Sequence, residues 1–242
     1  MLYNISMEAE TVELVRRSSL FKNVGAETLN AAMGGAIRRS IEEDGFFFLQ
    51  GDEATHAYVL VQGRVKMLQL TPNGQQITLR IITPGETFGG VAMLRPQSGY
   101  PATAQASQNS TALAWDTATL RALVKQDPGI SLNIMGLMHG YISELQERQG
   151  ALTSERVEQR IARTLLKLAA QSGRKVPEGV LIDIPLTRQD VAEMAGTTLF
   201  TVSRTLKVWE REGLMNVGRE RVVICDPHGL VSIADDLGDG RK

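Results

Sequence analysis

The chain, 242 residues long, is expected to be an α+β protein. A strand-rich N-terminal half should close as a sandwich or small barrel, followed by a long helix and a small helical region ending in a strand pair. Three patterns lead there. From about Leu20 to Asp116, short apolar runs alternate with glycine turns at Gly45, Gly51, Gly63, Gly74, Gly85 and Gly89-Gly90; this is strand spacing. After Asp127-Pro128, apolar residues recur in steps of three and four, the period of a helix face. From Ser154 on, amphipathic segments are cut by Gly173, Gly196 and Gly213. The expected parts are residues 1–116, 117–153 and 154–242.

In the first part, a short helix from Glu8 to Ser19 precedes the strands. The strand runs include Phe46-Phe47-Phe48-Leu49, Tyr58-Val59-Leu60-Val61, Val65-Lys66-Met67-Leu68-Gln69-Leu70 and Ile77-Thr78-Leu79-Arg80-Ile81-Ile82. Val65, Met67 and Gln69 should face one way, and Lys66, Leu68 and Leu70 the other. Pro72-Asn73-Gly74 reads as a hairpin turn, because Asn and Gly tolerate positive φ.

In the second part, a helix over Thr117–Lys125 stops before Asp127-Pro128. The long helix after it carries Ile134, Met138, Tyr141, Leu145, Arg148 and Leu152 in a heptad seam, which Leu137 and Ile142 widen. Such a face can pack on its own barrel or on the same helix of a second chain. Six seam positions exceed what capping a lone barrel requires, so a homodimer is the expectation. Arg148 interrupts the seam and can snorkel to its edge or pair with Glu144 or Glu147.

Composition narrows the function classes. Hydrophobic content of 43% and charged content of 22% are ordinary for globular chains and exclude a disordered or collagen-like one. No window approaches the roughly 18 apolar residues of a membrane span. The first twenty residues carry Glu8, Glu10 and Glu13 and lack an apolar core, so no secretory signal is read and a cytoplasmic location is expected. One cysteine, Cys225, excludes an internal disulfide and a four-cysteine iron–sulfur cluster; it closes an apolar run and reads as a core residue. His56, His139 and His228 are far apart, so metal-site spacing is lacking. Nothing suggests a nucleophile–base pair or a nucleotide loop, and no catalytic residue is assigned. A barrel-fold enzyme with an accessory helical domain is the weaker alternative. Residues 1–150 hold 12 basic against 14 acidic side chains, and residues 151–242 hold 14 against 13, so overall charge does not point to nucleic acid.

Local charge does. In the third part, Arg160–Ala170 is an amphipathic helix and Val180–Ile184 a short strand closed by Pro185. Thr187 fits an N-cap with Asp190 at the third helical position. Ala195-Gly196-Thr197 is a tight turn, and Thr197 or Thr198 caps a second helix that ends at Gly213. Ala192, Gly196 and Val202 have helix-turn-helix spacing. On a helical wheel Val202, Leu206 and Trp209 share one face, while Phe200, Arg204, Lys207 and Arg211 share the opposite one. No acid lies between Glu193 and Glu210. A locally cationic exposed stripe suits a major groove flanked by phosphates. Met215-Asn216-Val217 and Arg221-Val222-Val223-Ile224 flank Gly218-Arg219-Glu220 as a β-hairpin, which makes the unit a winged helix whose Arg219 and Arg221 can reach phosphates.

Nearly the whole chain resembles the CRP/FNR family of bacterial transcription regulators. The resemblance rests on Gly51-Asp52, Tyr58 through Val65, Pro84-Gly85-Glu86-Thr87-Phe88-Gly89, Arg160-Ile161-Ala162-Arg163-Thr164-Leu165-Leu166 and, above all, Leu186 through Gly196 with Thr201-Val202-Ser203-Arg204. It implies an N-terminal double-stranded β-helix, a jelly roll like those that bind cyclic nucleotides, then a long dimerisation helix and a C-terminal winged helix-turn-helix. Arg204 matches the arginine that reads guanine. Ser203 and Thr198 match positions near phosphate or base edges, and Arg188 and Gln189 match backbone contacts. With Phe200, Thr201, Lys207, Arg219 and Arg221 these are the expected DNA-binding residues. Many relatives carry a glutamate where this chain has Phe200. That acid accepts from cytosine, whereas Phe200 can meet a thymine methyl or leave the pair unread. The implied partners are double-stranded DNA bearing an inverted repeat, a second copy of the chain and RNA polymerase, with no membrane.

The effector side departs further from the family. Relatives that bind cyclic AMP hold a glutamate just after Phe-Gly and an Arg-Ser pair before Ala-Thr. Here those positions are Gly90 and Tyr100-Pro101, and positions facing adenine hold Leu145 and Gln146. A buried cyclic phosphate without partners costs several kcal/mol, so cyclic AMP is not the expected effector. The implied pocket is Phe88, Gly89, Gly90, Tyr100, Ala102, Thr103, Tyr141 and Leu145. The cofactor stays open between another small molecule, a haem and none. The Tyr100–Ala104 stretch resembles a subgroup sensing nitric oxide through haem, for which His56 and His139 are the available ligands, though each also fits a surface or seam position. Gly89-Gly90 can present backbone amides to an anion. By analogy with the family, an effector would reorient the winged domains about a hinge near Thr153 to Arg156.

Overall fold

Alternation along His56–Leu70 organises the first half of the chain. Ala57 and Val59 lie in one buried cluster with helical residues, and Tyr58 and Leu60 lie in another, because successive strand side chains point to opposite faces. The computed structural model describes residues 2–71, 76–90, 99–218 and 221–236, with no side-chain description at 1–8, 148, 152 and 153. The expected turn Pro72-Asn73-Gly74 and Arg219 lie outside the described residues, as do the side chains of Arg148 and Leu152. The chain divides into two compact units, Met1–Gln76 with Arg80–Glu144 and Ile77–Leu79 with Leu145–Lys242.

The first unit begins with helices α1 (Leu2–Arg17) and α2 (Ala26–Gly34). Strands β1 (Ile37–Ile41), β2 (Phe46–Phe48), β3 (His56–Leu70), β4 (Gln76–Ile82), β5 (Thr87–Phe88) and β6 (Thr103–Asp116) follow. The sheet order is β1-β6-β3-β4, with β2 also on β6 and β5 also on β3. This is a jelly-roll-like sheet and not the closed barrel that strand spacing suggested. Two predicted short strands are one 15-residue strand, β3, bent where its register against β6 shifts between Leu60 and Val65. Gly63 there has φ +97, as a bulge requires. Simple alternation also fails beyond the bend: Val65 and Leu68, which point to opposite faces, are both buried while Leu70 is exposed.

Helices cover one face of this sheet. Val15, Leu20, Phe21, Leu29, Trp115, Leu120, Leu123 and Ile130 form a continuous core there. Trp115 is fully buried, its indole Nε1 donating to the Ala32 carbonyl at 2.7 Å. The indole meets Phe21 edge-on at 4.9 Å. Loss of so large a buried ring corresponds to about 3–5 kcal/mol. Helix α3 (Thr117–Gln126) is capped by Asp116, which accepts from the Thr119 amide at 2.7 Å. That bond holds the Asp116 pKa below its ordinary value.

Helix α4 (Gly129–Ser154) corrects the predicted dimer seam. Ile134 is only 7% exposed and packs in the core of its own unit. Tyr141 also turns inward: its hydroxyl donates to the Thr87 carbonyl at 3.4 Å, and the Arg80 guanidinium lies 5.3 Å from its ring centroid. Burial pushes the Tyr141 pKa up. Met138 and Leu145 do point outward, joined by Met135 and Ile142. Both apolar stripes have helical period, and the β-unit takes the one containing Ile134 and Tyr141.

The second unit contains α5 (Val157–Ser172), β7 (Gly173–Val176), β8 (Gly179–Ile182), α6 (Arg188–Ala195), α7 (Leu199–Arg211), β9 (Met215–Gly218), β10 (Arg221–Ile224) and α8 (Pro227–Ala234). Its antiparallel sheet runs β7-β8-β10-β9. Two elements of this unit were not anticipated, as helix α2 of the first unit was not. Strand β7 is four residues long and pairs locally with β8. Helix α8 starts at Pro227, with Asp226 accepting from the Gly229 amide at 3.0 Å. Arg163 ties it to α5, donating to the Ala234 carbonyl at 2.8 Å and pairing with Asp235.

Candidate nucleic-acid interface

Helices α6 and α7 are set by local chemistry. Thr187 accepts from the Asp190 amide at 3.1 Å, and Asp190 accepts from the Thr187 amide at 3.0 Å and its hydroxyl at 2.7 Å. The reciprocal bonds satisfy donors that a helix start leaves open. Asp190 is buried, so Asp190→Ala strands those donors and lowers stability by about 1–2 kcal/mol, measurable by urea unfolding. Gly196 follows α6 at φ 62, in the left-handed region. Gly196→Ala places a Cβ where L-residues are disfavoured and costs about 1–2 kcal/mol; thermal denaturation of the full chain reads this.

The turn is also held from outside. Arg160 on α5 donates through Nε to the Ala195 carbonyl at 2.9 Å and through Nη2 to the Gly196 carbonyl at 3.3 Å. Its Nη1 donates to the Glu155 carbonyl at 2.8 Å. One planar guanidinium thereby fixes the turn that aims α7. Arg160 belongs to the family-like stretch Arg160–Leu166, and its distance in sequence from the turn hides this role.

Helix α7 separates its faces as the wheel required. Val202, Leu206 and Trp209 are buried. Phe200, Arg204, Lys207 and Arg211 are exposed, Phe200 by 76%. Thr198 is the cap, its hydroxyl accepting from the Thr201 amide at 3.2 Å and lying 3.0 Å from the Thr201 hydroxyl. Ser203 is half-buried on the flank. Among the described residues, none of Arg188, Arg204, Lys207 and Arg211 is held in an ion pair, whereas Arg163 and Arg174 are. Cations kept free of carboxylates can meet phosphates without first losing a partner. Arg188 and Gln189 lie exposed at the start of α6, Gln189 donating to Glu193 at 2.7 Å. They line a cavity of about 520 Å³ with Leu199, Val217 and Gly218 of α7 and the wing. Arg221 is exposed at the start of β10.

The effector-pocket candidates are partly brought together. Phe88 and Tyr100 share one buried cluster with Phe48 and Tyr58, and Ala102 is buried too. Tyr100 stacks on Phe48 at 3.7 Å, and its hydroxyl donates to the His56 carbonyl at 2.8 Å. These rings are packed as core. Gly89, at φ +75, lets the backbone approach closely: a Cβ there would lie 3.1 Å from the His56 carbonyl and from both the Phe48 and Tyr58 rings. Gly90 is half-buried, and a Cβ there would meet that of Ala57 at 3.3 Å. The Thr103 hydroxyl accepts from the Gln50 amide at 2.9 Å. Tyr141 sits inside its unit, as described, while Leu145 is exposed. His56 lies beside Thr55, its Nδ1 2.9 Å from the hydroxyl. Burial, with Arg39 nearby, lowers its pKa, so the ring is neutral at pH 7. His139 is exposed on α4. Among the described residues no group of three His, Cys, Asp or Glu side chains could hold a metal ion, and no helix is long and apolar enough to cross a membrane.

Comparison with known proteins matches both units. Residues 38–127 match the cyclic nucleotide-binding domain, and residues 159–233 match the Crp-like helix-turn-helix domain. The Cyclic AMP receptor protein of Thermus thermophilus is 29% identical over 92% of this chain and 100% of its own length. A Global nitrogen regulator from Synechocystis is 23% identical over 88% of this chain and 93% of its own length. The structure of FixK2 from Bradyrhizobium japonicum superposes with a TM-score of 0.72 at 21% identity, over 82% of this chain and 96% of that one.

Proposed function

The chain belongs to the CRP/FNR family of bacterial transcription regulators and is a DNA-binding regulator with a cyclic nucleotide-binding-type domain; from that premise we propose that it acts as a cytoplasmic homodimer without enzymatic activity. Two α7 helices related by a two-fold axis read an inverted repeat, with half-sites about one helical turn apart. Arg204 reads a guanine in each half-site through O6 and N7. Ser203, Thr198, Thr201, Arg188, Gln189, Lys207, Arg219 and Arg221 position the duplex. The bound dimer recruits or blocks RNA polymerase.

The observation that carries this reading is the exposed face of α7, with Arg204 and Lys207 free of carboxylate partners among the described residues. The dimer reading is supported by the outward stripe Met135, Met138, Ile142 and Leu145. Selection of bound sites from random duplex DNA tests the proposal. An enriched inverted repeat with guanine in each half supports it, and enrichment of no sequence opposes it.

The input is a signal other than cyclic AMP. The relatives above carry names with different inputs, so the domain type alone does not assign one. Gly90 offers no carboxylate to a ribose, and Tyr100-Pro101 offers no guanidinium to a phosphate. Calorimetric titration with cyclic AMP should give no heat of binding, and DNA affinity should be unchanged by it. Saturable micromolar binding would contradict this. The absorption spectrum of the purified protein tests the haem alternative.

A further inference from the structure

Resting on the DNA-reading role of α7, we infer that Phe200 is a specificity-determining residue that reads the 5-methyl group of a thymine in each half-site. Phe200 occupies the second position of α7, and the first turn of a recognition helix is the part that reaches base edges. Its ring is 76% exposed although α7 has a complete apolar face of its own in Val202, Leu206 and Trp209. The ring therefore lies outside the face that seats the helix.

The chemistry leaves one target. A phenyl ring neither donates nor accepts a conventional hydrogen bond, so it cannot read the polar edges of guanine, adenine or cytosine. The apolar group that a base pair shows in the major groove is the thymine methyl. Neighbouring hydroxyls do not substitute for a missing acceptor, since those of Thr198 and Thr201 meet each other across the helix cap at 3.0 Å.

Geometry places the thymine near the guanine. Phe200 and Arg204 are four residues apart on the same face, about 6 Å along the helix axis. Base pairs stack every ~3.4 Å, so the two contacts fall about one to two base pairs apart.

The test uses the full-length protein and its selected site. Deoxyuridine in place of thymine removes the methyl and nothing else. Burying one methyl group is worth about fourfold in affinity, so uracil at one position of both half-sites should weaken binding by about fifteenfold. Phe200→Ala should bind the thymine and uracil duplexes equally. Phe200→Glu should shift the preference at that position to cytosine, whose amino group donates to a carboxylate. As an internal control, 7-deazaguanine at the Arg204 contact removes N7. If that change weakens binding while uracil does not, α7 reads DNA but Phe200 reads no methyl, and the inference falls. If the uracil effect persists in Phe200→Ala, another residue reads the methyl and the inference also falls. If neither base change matters, the DNA-reading role of α7 fails first.

Discussion

Arg204→Ala should sharply weaken sequence-specific binding while leaving the protein folded. The side chain is exposed on α7 and touches none of the packing that seats the helix through Val202, Leu206 and Trp209. A bidentate contact to guanine is worth about 1–3 kcal/mol of discrimination per half-site. A dimer loses two such contacts, so affinity for the selected site should fall by about thirtyfold or more. Affinity for unrelated DNA should fall much less, because it depends on phosphate contacts by all the cations of the face. The ratio of the two affinities, from fluorescence anisotropy at one fixed salt concentration, is the readout. Circular dichroism should match the parent protein. An unchanged ratio would remove Arg204 from its role.

Ile142→Glu should separate the proposed dimer and abolish operator binding. Ile142 is 52% exposed in the single chain and Leu145 is 61% exposed, so a glutamate at 142 is tolerated by the fold itself. In a paired helix the same carboxylate is buried against its symmetry mate. An unpaired buried charge costs several kcal/mol, so self-association should weaken by roughly a hundredfold or more. Light scattering at micromolar concentration should report the mass of one chain. Ile134→Ala provides the contrast. That residue packs with Leu20, Phe21 and Trp115, so its truncation should lower stability by about 2–4 kcal/mol and leave the mass at two chains. The reverse pattern would restore the seam that runs through Ile134.

These two positions show where sequence reading succeeds and where it stops. The helix-turn-helix was legible because its signals are local. Thr187 and Asp190 cap each other, Gly196 supplies the left-handed turn, and three apolar residues at helical spacing define the buried face of α7. Each signal spans only a few residues and depends little on the rest of the fold. Helix α4 differs because apolar residues cover more than one stripe. Which stripe faces the β-unit depends on Thr87 and Arg80, residues distant in sequence that receive Tyr141. No periodicity encodes that choice.

The same distinction holds elsewhere. Gly63 looked like a turn between two strands, but its positive φ serves a bulge inside one long strand. Helix α8 and strand β7 are too short for a period to stand out, and both depend on packing or pairing with partners. In the expected effector pocket, the sequence identified Phe88 and Tyr100 but could not show that they pack with Phe48 and Tyr58 as core. The clamp of Arg160 on the turn was hidden for the same reason.

The most direct test of the central claim is methylation protection of guanine N7 on the selected site, with wild-type protein and Arg204→Ala side by side. One protected guanine is expected in each half-site, the two related by the two-fold axis and about one helical turn apart. Both should become reactive with Arg204→Ala, even at concentrations that saturate the DNA. Protection that survives Arg204→Ala, or that appears in one half-site alone, would contradict the claim.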